Sequence, residues 1–317
     1  MRIEDDNGLS ALIASAHETK LCGGFAFTEG PVWVPNDACL LFSDIPNDRI
    51  HRWREGMTDA EIYREPSHQS NGLTLDQYGS LIACEHRARR VTRAAYGGDP
   101  TAIAEHYHGK RFNSPNDVVA AESGALYFTD PTYGLDDPAA ERDLPYQGVY
   151  RLGPRGALRC LDTTFVQPNG LAFSPDETVL YVGDSHENHV RRFDLDNDGS
   201  LRGGEVFVAM GDDPRPSGAD GMKVDEDGRL WTTGAGGVWV VDPDGTRLGV
   251  LALPEYPANL AFGGPDFSSL FLTAQTSVYR VETRVRGIAP GSRGVRLSEK
   301  SIQTGIARTT GSARDGS

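Results

Sequence analysis

The chain has 317 residues, of which 38% are hydrophobic, and its formal net charge of −14 arises from 45 acidic and 31 basic residues. This acidic balance disfavours binding to nucleic acid or to an anionic membrane, and it is compatible with attracting a cation. The four cysteines show no paired spacing, so neither a disulfide framework nor a zinc site is expected.

The N-terminus carries no recognisable targeting signal. The stretch from Met1 to Glu18 is acidic and lacks the basic segment and apolar run of a secretory signal. No apolar stretch approaches the roughly 18 residues that a membrane span requires. We therefore expect a cytoplasmic protein, and either a monomer or a weak homo-oligomer.

Three regions are expected along the chain. Residues 1–21 form an N-terminal extension, with a short helix predicted within residues 9–16. Residues 22–300 form one domain, because a strand repeat runs through them without a break in composition. Residues 301–317 form a C-terminal tail rich in Thr, Ser, Arg and Gly.

A repeated sequence motif organises this domain and is clearest over residues 169–182. A residue with a side-chain oxygen opens a short apolar strand, turn residues follow, and a second apolar strand comes next. The motif recurs roughly every 40 to 50 residues, a period typical of β-propellers with one blade per repeat. Its first residues, here called the openers, are Glu29, Asn71, Asn116, Asn169, Asp220 and Asn259. The prediction is an all-β, six-bladed β-propeller with four-stranded antiparallel blades.

Two segments are candidates for completing the sixth blade. Its missing outer strand is supplied either by residues 22–27, before the first repeat, or by residues 294–297, after the last.

The openers predict a site on the propeller axis. The first strand of each blade lines the central channel, so six side-chain oxygens should converge there. Oxygen ligands of this kind suit a hard divalent cation, Ca²⁺ before Mg²⁺, Mn²⁺ or Zn²⁺. The competing interpretation is that Asn71-Gly72 and Asn169-Gly170 are simple hairpin turns. Glu29-Gly30-Pro31 opposes it, because proline cannot adopt the positive φ of a type I′ turn.

Loops that share this face of the propeller provide candidate substrate contacts. They connect the second and third strands of a blade or cross between blades. The candidates are His86, Asn113, Asp130, Tyr133, Asp184 and Ser185, together with the openers Asn71 and Asn259.

Several segments resemble one known family. They are Glu29-Gly30-Pro31-Val32-Trp33, Ala83-Cys84-Glu85-His86, Ser114-Pro115-Asn116-Asp117, Phe128-Thr129-Asp130-Pro131-Thr132-Tyr133-Gly134, Pro168-Asn169-Gly170-Leu171, Tyr181-Val182-Gly183-Asp184-Ser185 and Ala219-Asp220-Gly221-Met222. Taken in this order, they resemble the gluconolactonase / senescence marker protein / luciferin-regenerating enzyme family, and in particular its bacterial gluconolactonase branch.

The resemblance implies one divalent metal in the central channel and assigns roles around it. Glu29, Asn169 and Asp220 would be metal ligands, and Asn116 a fourth ligand or a substrate contact. Asp220 would also be the catalytic acid/base. The sequence has Ser114-Pro115 where animal members have an arginine-containing segment, so their sugar-contacting arginine is not transferred to this chain.

The expected activity is metal-assisted hydrolysis of a small sugar lactone such as gluconolactone. A cation stabilises negative charge on a lactone carbonyl, and a neighbouring carboxylate can accept the proton of the attacking water. Two alternatives use the same site. One is a phosphotriesterase or fluorophosphatase, and the other is a non-catalytic scaffold with a structural cation.

Overall fold

A computed structural model describes residues 1–211, 213, 215 and 218–290. Within these residues, almost all regular structure is antiparallel β-sheet, arranged as six consecutive blades. Within each blade the consecutive strands run from the innermost outward, and each of these strands pairs with the one before it. The predicted six-bladed propeller is confirmed.

The first four blades take all their strands from consecutive sequence. Blade 1 contains Thr28–Val34, Cys39–Asp44, Arg49–Arg54 and Glu61–Arg64. Blade 2 contains Ser70–Leu75, Leu81–Glu85, Arg90–Ala94 and Thr101–Ala104. Blade 3 contains Val118–Ala120, Leu126–Asp130, Gly148–Leu152 and Leu158–Asp162. Blade 4 contains Pro168–Phe173, Val179–Asp184, His189–Leu195 and Leu201–Ala209.

The last two blades each take an outer strand from the N-terminus. Blade 5 contains Met222–Val224, Leu230–Gly234, Gly237–Val241 and Arg247–Ala252, with Arg2–Glu4 as a fifth strand. Blade 6 contains Asn259–Gly263, Ser269–Ala274 and Ser277–Glu282, with Thr19–Gly23 as its outer strand.

The ring is therefore closed by a strand from the N-terminal side, and this strand begins earlier in the sequence than the predicted residues 22–27. Thr19–Gly23 pairs with Ser277–Glu282, so the expected boundary at residue 22 falls inside a strand. The N-terminal residues also pack against the propeller, since Leu9 is fully buried in its core. The other candidate strand, residues 294–297, and the predicted tail, residues 301–317, lie outside the described residues.

Few other elements interrupt the blades. In the described residues the α-helices are Leu9–Leu12 and Pro138–Glu141, and a 3₁₀ turn covers Pro35–Asp37. A two-stranded hairpin of His106–Tyr107 and Lys110–Arg111 precedes blade 3. None of these helices has the length and apolar character needed to cross a membrane.

The blades are held together by apolar side chains between their faces. In the described part of the chain, each of six buried clusters joins two neighbouring blades, and together they complete the ring. Val32 of blade 1 packs with Leu73 of blade 2, for example, and Trp231 of blade 5 with Leu260 of blade 6. Because both faces of a blade are covered, strands such as Cys39–Asp44 are buried at every position.

The inner strands contact one another around the axis, and the openers lie at these contacts. Asn71-Gly72 and Asn169-Gly170 lie within inner strands, where the pairing shifts register, and are not hairpin turns. A β-bulge of this kind re-aims the local side chains. The glycine after an opener packs against the next blade's opener in four pairs: Gly30 on Asn71, Gly72 on Asn116, Gly170 on Asp220 and Gly221 on Asn259.

We expect Gly170→Ala to destabilise the ring. An ideal Cβ on Gly170 would lie 2.1 Å from the backbone oxygen of Asp220, so the two inner strands would have to separate. Overpacking of this kind costs about 1–3 kcal/mol in the free energy of unfolding, measurable by urea denaturation. Gly98→Ala is the matched control, because Gly98 is exposed and the nearest contact of its Cβ is 3.2 Å. Equal stability of the two variants would contradict close packing at the openers.

Candidate active site

A cavity of about 490 Å³ opens at the end of the channel where the inner strands begin. Five of the six openers line it: Glu29, Asn71, Asn116, Asn169 and Asp220. The sixth, Asn259, is buried beside Glu29. The predicted convergence of the openers is therefore what the fold produces.

Glu29 is held in one orientation by two donors. The backbone N–H of Gly30 and Nδ2 of Asn259 both donate to its Oε2, at 2.6 and 2.9 Å. The other oxygen, Oε1, is thus the one that Glu29 can offer to a cation or a substrate. Burial raises the pKa of Glu29, and the nearby Asp117 carboxylate raises it further.

Asn169 is oriented in the same manner. Its Nδ2 donates to Oγ of Ser185 at 2.9 Å, and that hydroxyl donates to the backbone oxygen of Ala219. With its amide nitrogen occupied, Asn169 has its carbonyl Oδ1 free to act as a ligand oxygen. Ser185, predicted as a substrate contact, lines the cavity and also fixes this opener.

Asp220 is the second carboxylate of the cavity and is only partly exposed. Its pKa is raised well above the usual range by burial first, and then by the negative charges of Glu29 and Asp117. The backbone N–H of Asp220 donates to Oγ1 of Thr233, which anchors the opener to the next strand of blade 5. Two carboxylates that repel each other in one cavity would be stabilised by a cation between them.

Asp117 and Lys223 form a charged layer next to the openers that sequence reasoning missed. Asp117 is 3% exposed, and its Oδ1 accepts from the N–H of Val118. Lys223, on the inner strand of blade 5, lowers the pKa values of both Asp117 and Glu29 by its positive charge. One signal was available, since Asp117 occupies the position where four of the other openers are followed by glycine.

His86 and Tyr133 reach the cavity from the loops of blades 2 and 3, as predicted. Nε2 of His86 lies 3.4 Å from Nδ2 of Asn71. Burial lowers the pKa of His86 to about 4, so its imidazole is neutral at physiological pH. Tyr133 is 43% exposed, and its hydroxyl donates to Oε1 of Gln167 at 3.4 Å.

Three other predicted contact residues are not brought into the cavity. Asn113 is fully buried, and its Nδ2 donates to the backbone oxygens of Asp130 and Tyr146. Asp130 accepts from the N–H of Asn113, and Asp184 accepts from the N–H groups of Val166 and His186. All three hold loops in place through these bonds to backbone groups, although Oδ1 of Asn113 and Oδ1 of Asp130 are buried without a hydrogen-bond partner.

An apolar half of the cavity wall was also not predicted. It is built by Phe27, Ile45, Pro46, Tyr256 and Pro257, and the polar Gln275, between two strands of blade 6, also lines the cavity. The residues of the apolar half come from blade 1 and from the crossings into blades 1 and 6, whereas the polar lining comes mostly from blades 2 to 4. They lie outside the repeated sequence motif, so the repeat did not indicate that they line the cavity.

The donors fit a hard divalent cation in kind. Carboxylate oxygens of Glu29 and Asp220 and amide oxygens of Asn169 and Asn116 line one cavity. Such oxygens are the ligands of Ca²⁺ and related ions. Among the described residues, no group of three or more His, Cys, Asp or Glu side chains is arranged to hold a metal ion. Any cation here would therefore depend on the amides as well as on the two acids.

Comparisons with known proteins agree with this architecture. A family model described as the SMP-30/Gluconolactonase/LRE-like region matches residues 27–276. A gluconolactonase from Zymomonas mobilis subsp. mobilis is 34% identical over 289 residues, covering 82% of this chain and 80% of that protein. The pentonolactonase XacC from Haloferax volcanii is 33% identical over 250 residues, covering 77% of this chain and 80% of that protein.

A solved gluconolactonase structure from Xanthomonas campestris is 32% identical, with a TM-score of 0.82 over 89% of this chain and 94% of that chain. The family model spans nearly the whole propeller, and both relatives cover most of the chain. The resemblance noted in the sequence is thereby confirmed, and the chain belongs to the SMP-30/gluconolactonase/LRE-like family.

Proposed function

We propose that this protein is a divalent-metal-dependent lactonase that opens a small sugar lactone such as gluconolactone. The observation that carries the proposal is the pair of carboxylates, buried Glu29 and partly exposed Asp220, which share one cavity with the amide side chains of Asn116 and Asn169. Relatives named gluconolactonase and pentonolactonase support lactones as the substrate class.

Glu29, Asn169 and Asp220 would hold the cation, and Asn116 would be a fourth ligand or a substrate contact. Ca²⁺ suits these oxygen donors best, with Mg²⁺, Mn²⁺ or Zn²⁺ as alternatives. When bound, the ion supplies a Lewis acid for the charge that develops on the lactone carbonyl. The hydrogen bonds from Asn259 to Glu29 and from Asn169 to Ser185 keep the ligand oxygens oriented.

The proton transfers are assigned to Asp220. Its carboxylate accepts a proton from the water whose oxygen attacks the lactone carbonyl carbon. The bond between that carbon and the ring oxygen then breaks. Asp220 returns the proton to the departing ring oxygen, and the product is an open-chain hydroxy acid. Water and lactone are consumed one to one, and no other reactant is needed.

The substrate hydroxyls would be bound by neutral polar groups. His86 and Asn71 lie together on one side of the cavity, and the partly exposed Tyr133 lines it from the loop of blade 3. Neutral imidazole, amide and phenol groups can each exchange hydrogen bonds with a polyol. Asn113 is left out of this role because it is fully buried outside the cavity lining and its Nδ2 is committed to backbone oxygens.

We expect Asp220→Asn to lower kcat for glucono-1,5-lactone by about 10²- to 10⁴-fold, the usual contribution of general acid–base catalysis. The loss should be in kcat, with the melting temperature nearly unchanged, because the amide keeps the shape of the carboxylate. Asp227→Asn is the matched control: Asp227 is exposed on a turn of the same blade and should leave turnover unchanged. Wild-type kcat in the Asp220 variant would remove the assigned role.

We expect EDTA followed by dialysis to abolish lactone hydrolysis, and Ca²⁺ to restore it. A ligand that binds only the folded state at about 100 times its Kd stabilises by about 2.7 kcal/mol, which calorimetry would register as a higher Tm. The gain should be smaller at about pH 5.5 than at about pH 8, because the raised pKa values of both carboxyls let protons compete.

Glu29→Gln is the control for this measurement, since it removes one proposed ligand charge at the same volume. The variant should lose most of the Ca²⁺-dependent gain in Tm. Hydrolysis that persists in EDTA, with no Ca²⁺ effect on Tm, would refute the metal dependence.

A further inference from the structure

A buried arginine, Arg89, ties together three loops beside the active-site cavity. Its backbone N–H donates to the backbone oxygen of His86 at 3.1 Å and closes the loop that follows the second strand of blade 2. Its Nε donates to the backbone oxygen of Phe112 at 2.6 Å, and its Nη1 donates to that of Glu141 at 3.1 Å. Arg89 is therefore bonded to the loop of blade 2, to the segment that enters blade 3 and to the loop within blade 3.

Each of these three loops carries a residue of the cavity lining. The loop of blade 2 carries His86, and the segment that enters blade 3 leads to Asn116. The loop within blade 3 contains Tyr133 and the short helix whose last residue is Glu141. One guanidinium group thus holds the backbone that presents three lining side chains from three separate parts of the chain.

The three loops also pack against one another at Gly134, the residue after Tyr133. A Cβ built on Gly134 would lie 2.5 Å from Cβ of His86 and 2.8 Å from Cβ of Ser114. Oγ of Ser114 donates to the backbone oxygen of Pro131 at 2.6 Å and accepts from the N–H of Gly134 at 2.9 Å. Because this contact leaves no room for a methyl group, a shift of one loop would displace the other two.

Arg89 occupies this place at a cost in stability. It is 8% exposed, and among the described residues its remaining nitrogen, Nη2, finds no hydrogen-bond partner. Burial lowers the pKa of Arg89, and the positive charge of Arg111 lowers it further. Burying a cation with an unused donor is unfavourable. Such arrangements are concentrated at functional sites, where the position of a group matters more than its contribution to stability.

We propose that Arg89 is a positioning residue, which sets the three lining side chains at the mutual distances that a polyhydroxylated lactone requires. The proposal rests on the proposed lactonase function and adds a residue that acts on substrate recognition from outside the cavity lining. Two nitrogens of its planar guanidinium donate in fixed directions to carbonyl oxygens of different loops. A lysine ammonium keeps the charge but cannot reproduce this fork.

The test compares glucono-1,5-lactone with δ-valerolactone, which has the same ring size but no hydroxyl groups, on the full chain with Ca²⁺ added. We expect Arg89→Lys to lower kcat/KM for gluconolactone by about 10- to 100-fold and that for valerolactone by less than about threefold, because only gluconolactone has hydroxyls for the positioned side chains. The ratio of the two values does not depend on the fraction of enzyme that is folded, so a merely structural loss would leave it unchanged. An unchanged ratio would overturn the proposal.

Arg87→Lys is the matched control. Arg87 is exposed in the same loop, where its Nη1 donates to Oδ2 of Asp48 at 3.3 Å. Its substitution should leave both kcat/KM values unchanged. A fall in the ratio equal to that in Arg89→Lys would show that the effect does not come from the buried guanidinium.

Asp137→Ala is a milder variant that decides the question if Arg89→Lys does not fold. Asp137 is exposed and caps the helix by accepting from the N–H groups of Ala139 and Ala140. Loss of the cap frees the helix end that Arg89 holds, and it should lower the same ratio by about threefold. An unchanged ratio in Asp137→Ala would then overturn the proposal.

Binding of gluconolactam, in which N–H replaces the ring oxygen, separates positioning from turnover. Its calorimetric Kd should rise by about 10-fold or more in Arg89→Lys and stay unchanged in Arg87→Lys. That weakening in a protein that hydrolyses no lactone would refute the proposed reaction and leave the positioning role intact. Equal Kd values in the two variants would refute the positioning role even in an active lactonase.

Discussion

The close approach of inner strands at the propeller axis is the constraint on which the rest of the structure depends. Each blade must bring its first strand within contact of the next, and glycines such as Gly30 and Gly170 permit this where the openers meet. The clusters between blades supply the free energy that holds the ring closed. Acids and amides that are far apart in sequence are therefore brought together at one place on the axis.

That convergence is electrostatically unfavourable, and the structure only partly relieves it. Burial raises the pKa values of Glu29, Asp117 and Asp220; the negative charge of Asp117 raises those of Glu29 and Asp220 further, and the charge of Glu29 raises that of Asp220. The positive charge of Lys223 lowers the pKa values of Glu29 and Asp117 and so offsets part of this effect. Two hydrogen bonds to Oε2 fix the orientation of Glu29, and the bond to Ser185 fixes that of Asn169. None of these bonds neutralises a carboxylate. Concentrating negative charge in this way costs stability and creates affinity for a cation, a compromise common at functional sites.

The sequence predicts the parts of the molecule that repeat. The openers and the blade pattern recur at a regular period, so the fold, its axis and the cavity floor could be inferred from residues such as Asn169 and Asp220. The N-terminal strand Thr19–Gly23, the Asp117–Lys223 layer and the apolar wall occur once each, and their places depend on tertiary packing. Asn113 looked like a substrate contact, but its amide had backbone partners that only the folded loop reveals.

The most direct measurement is anomalous diffraction from crystals grown with Mn²⁺, which scatters strongly enough to be located without bias. We expect one strong peak on the propeller axis, within about 2.0–2.6 Å of oxygens from Glu29, Asn169 and Asp220. A cavity without a peak, in a protein that still hydrolyses lactones after chelation, would contradict the central claim that these side chains hold a catalytic cation.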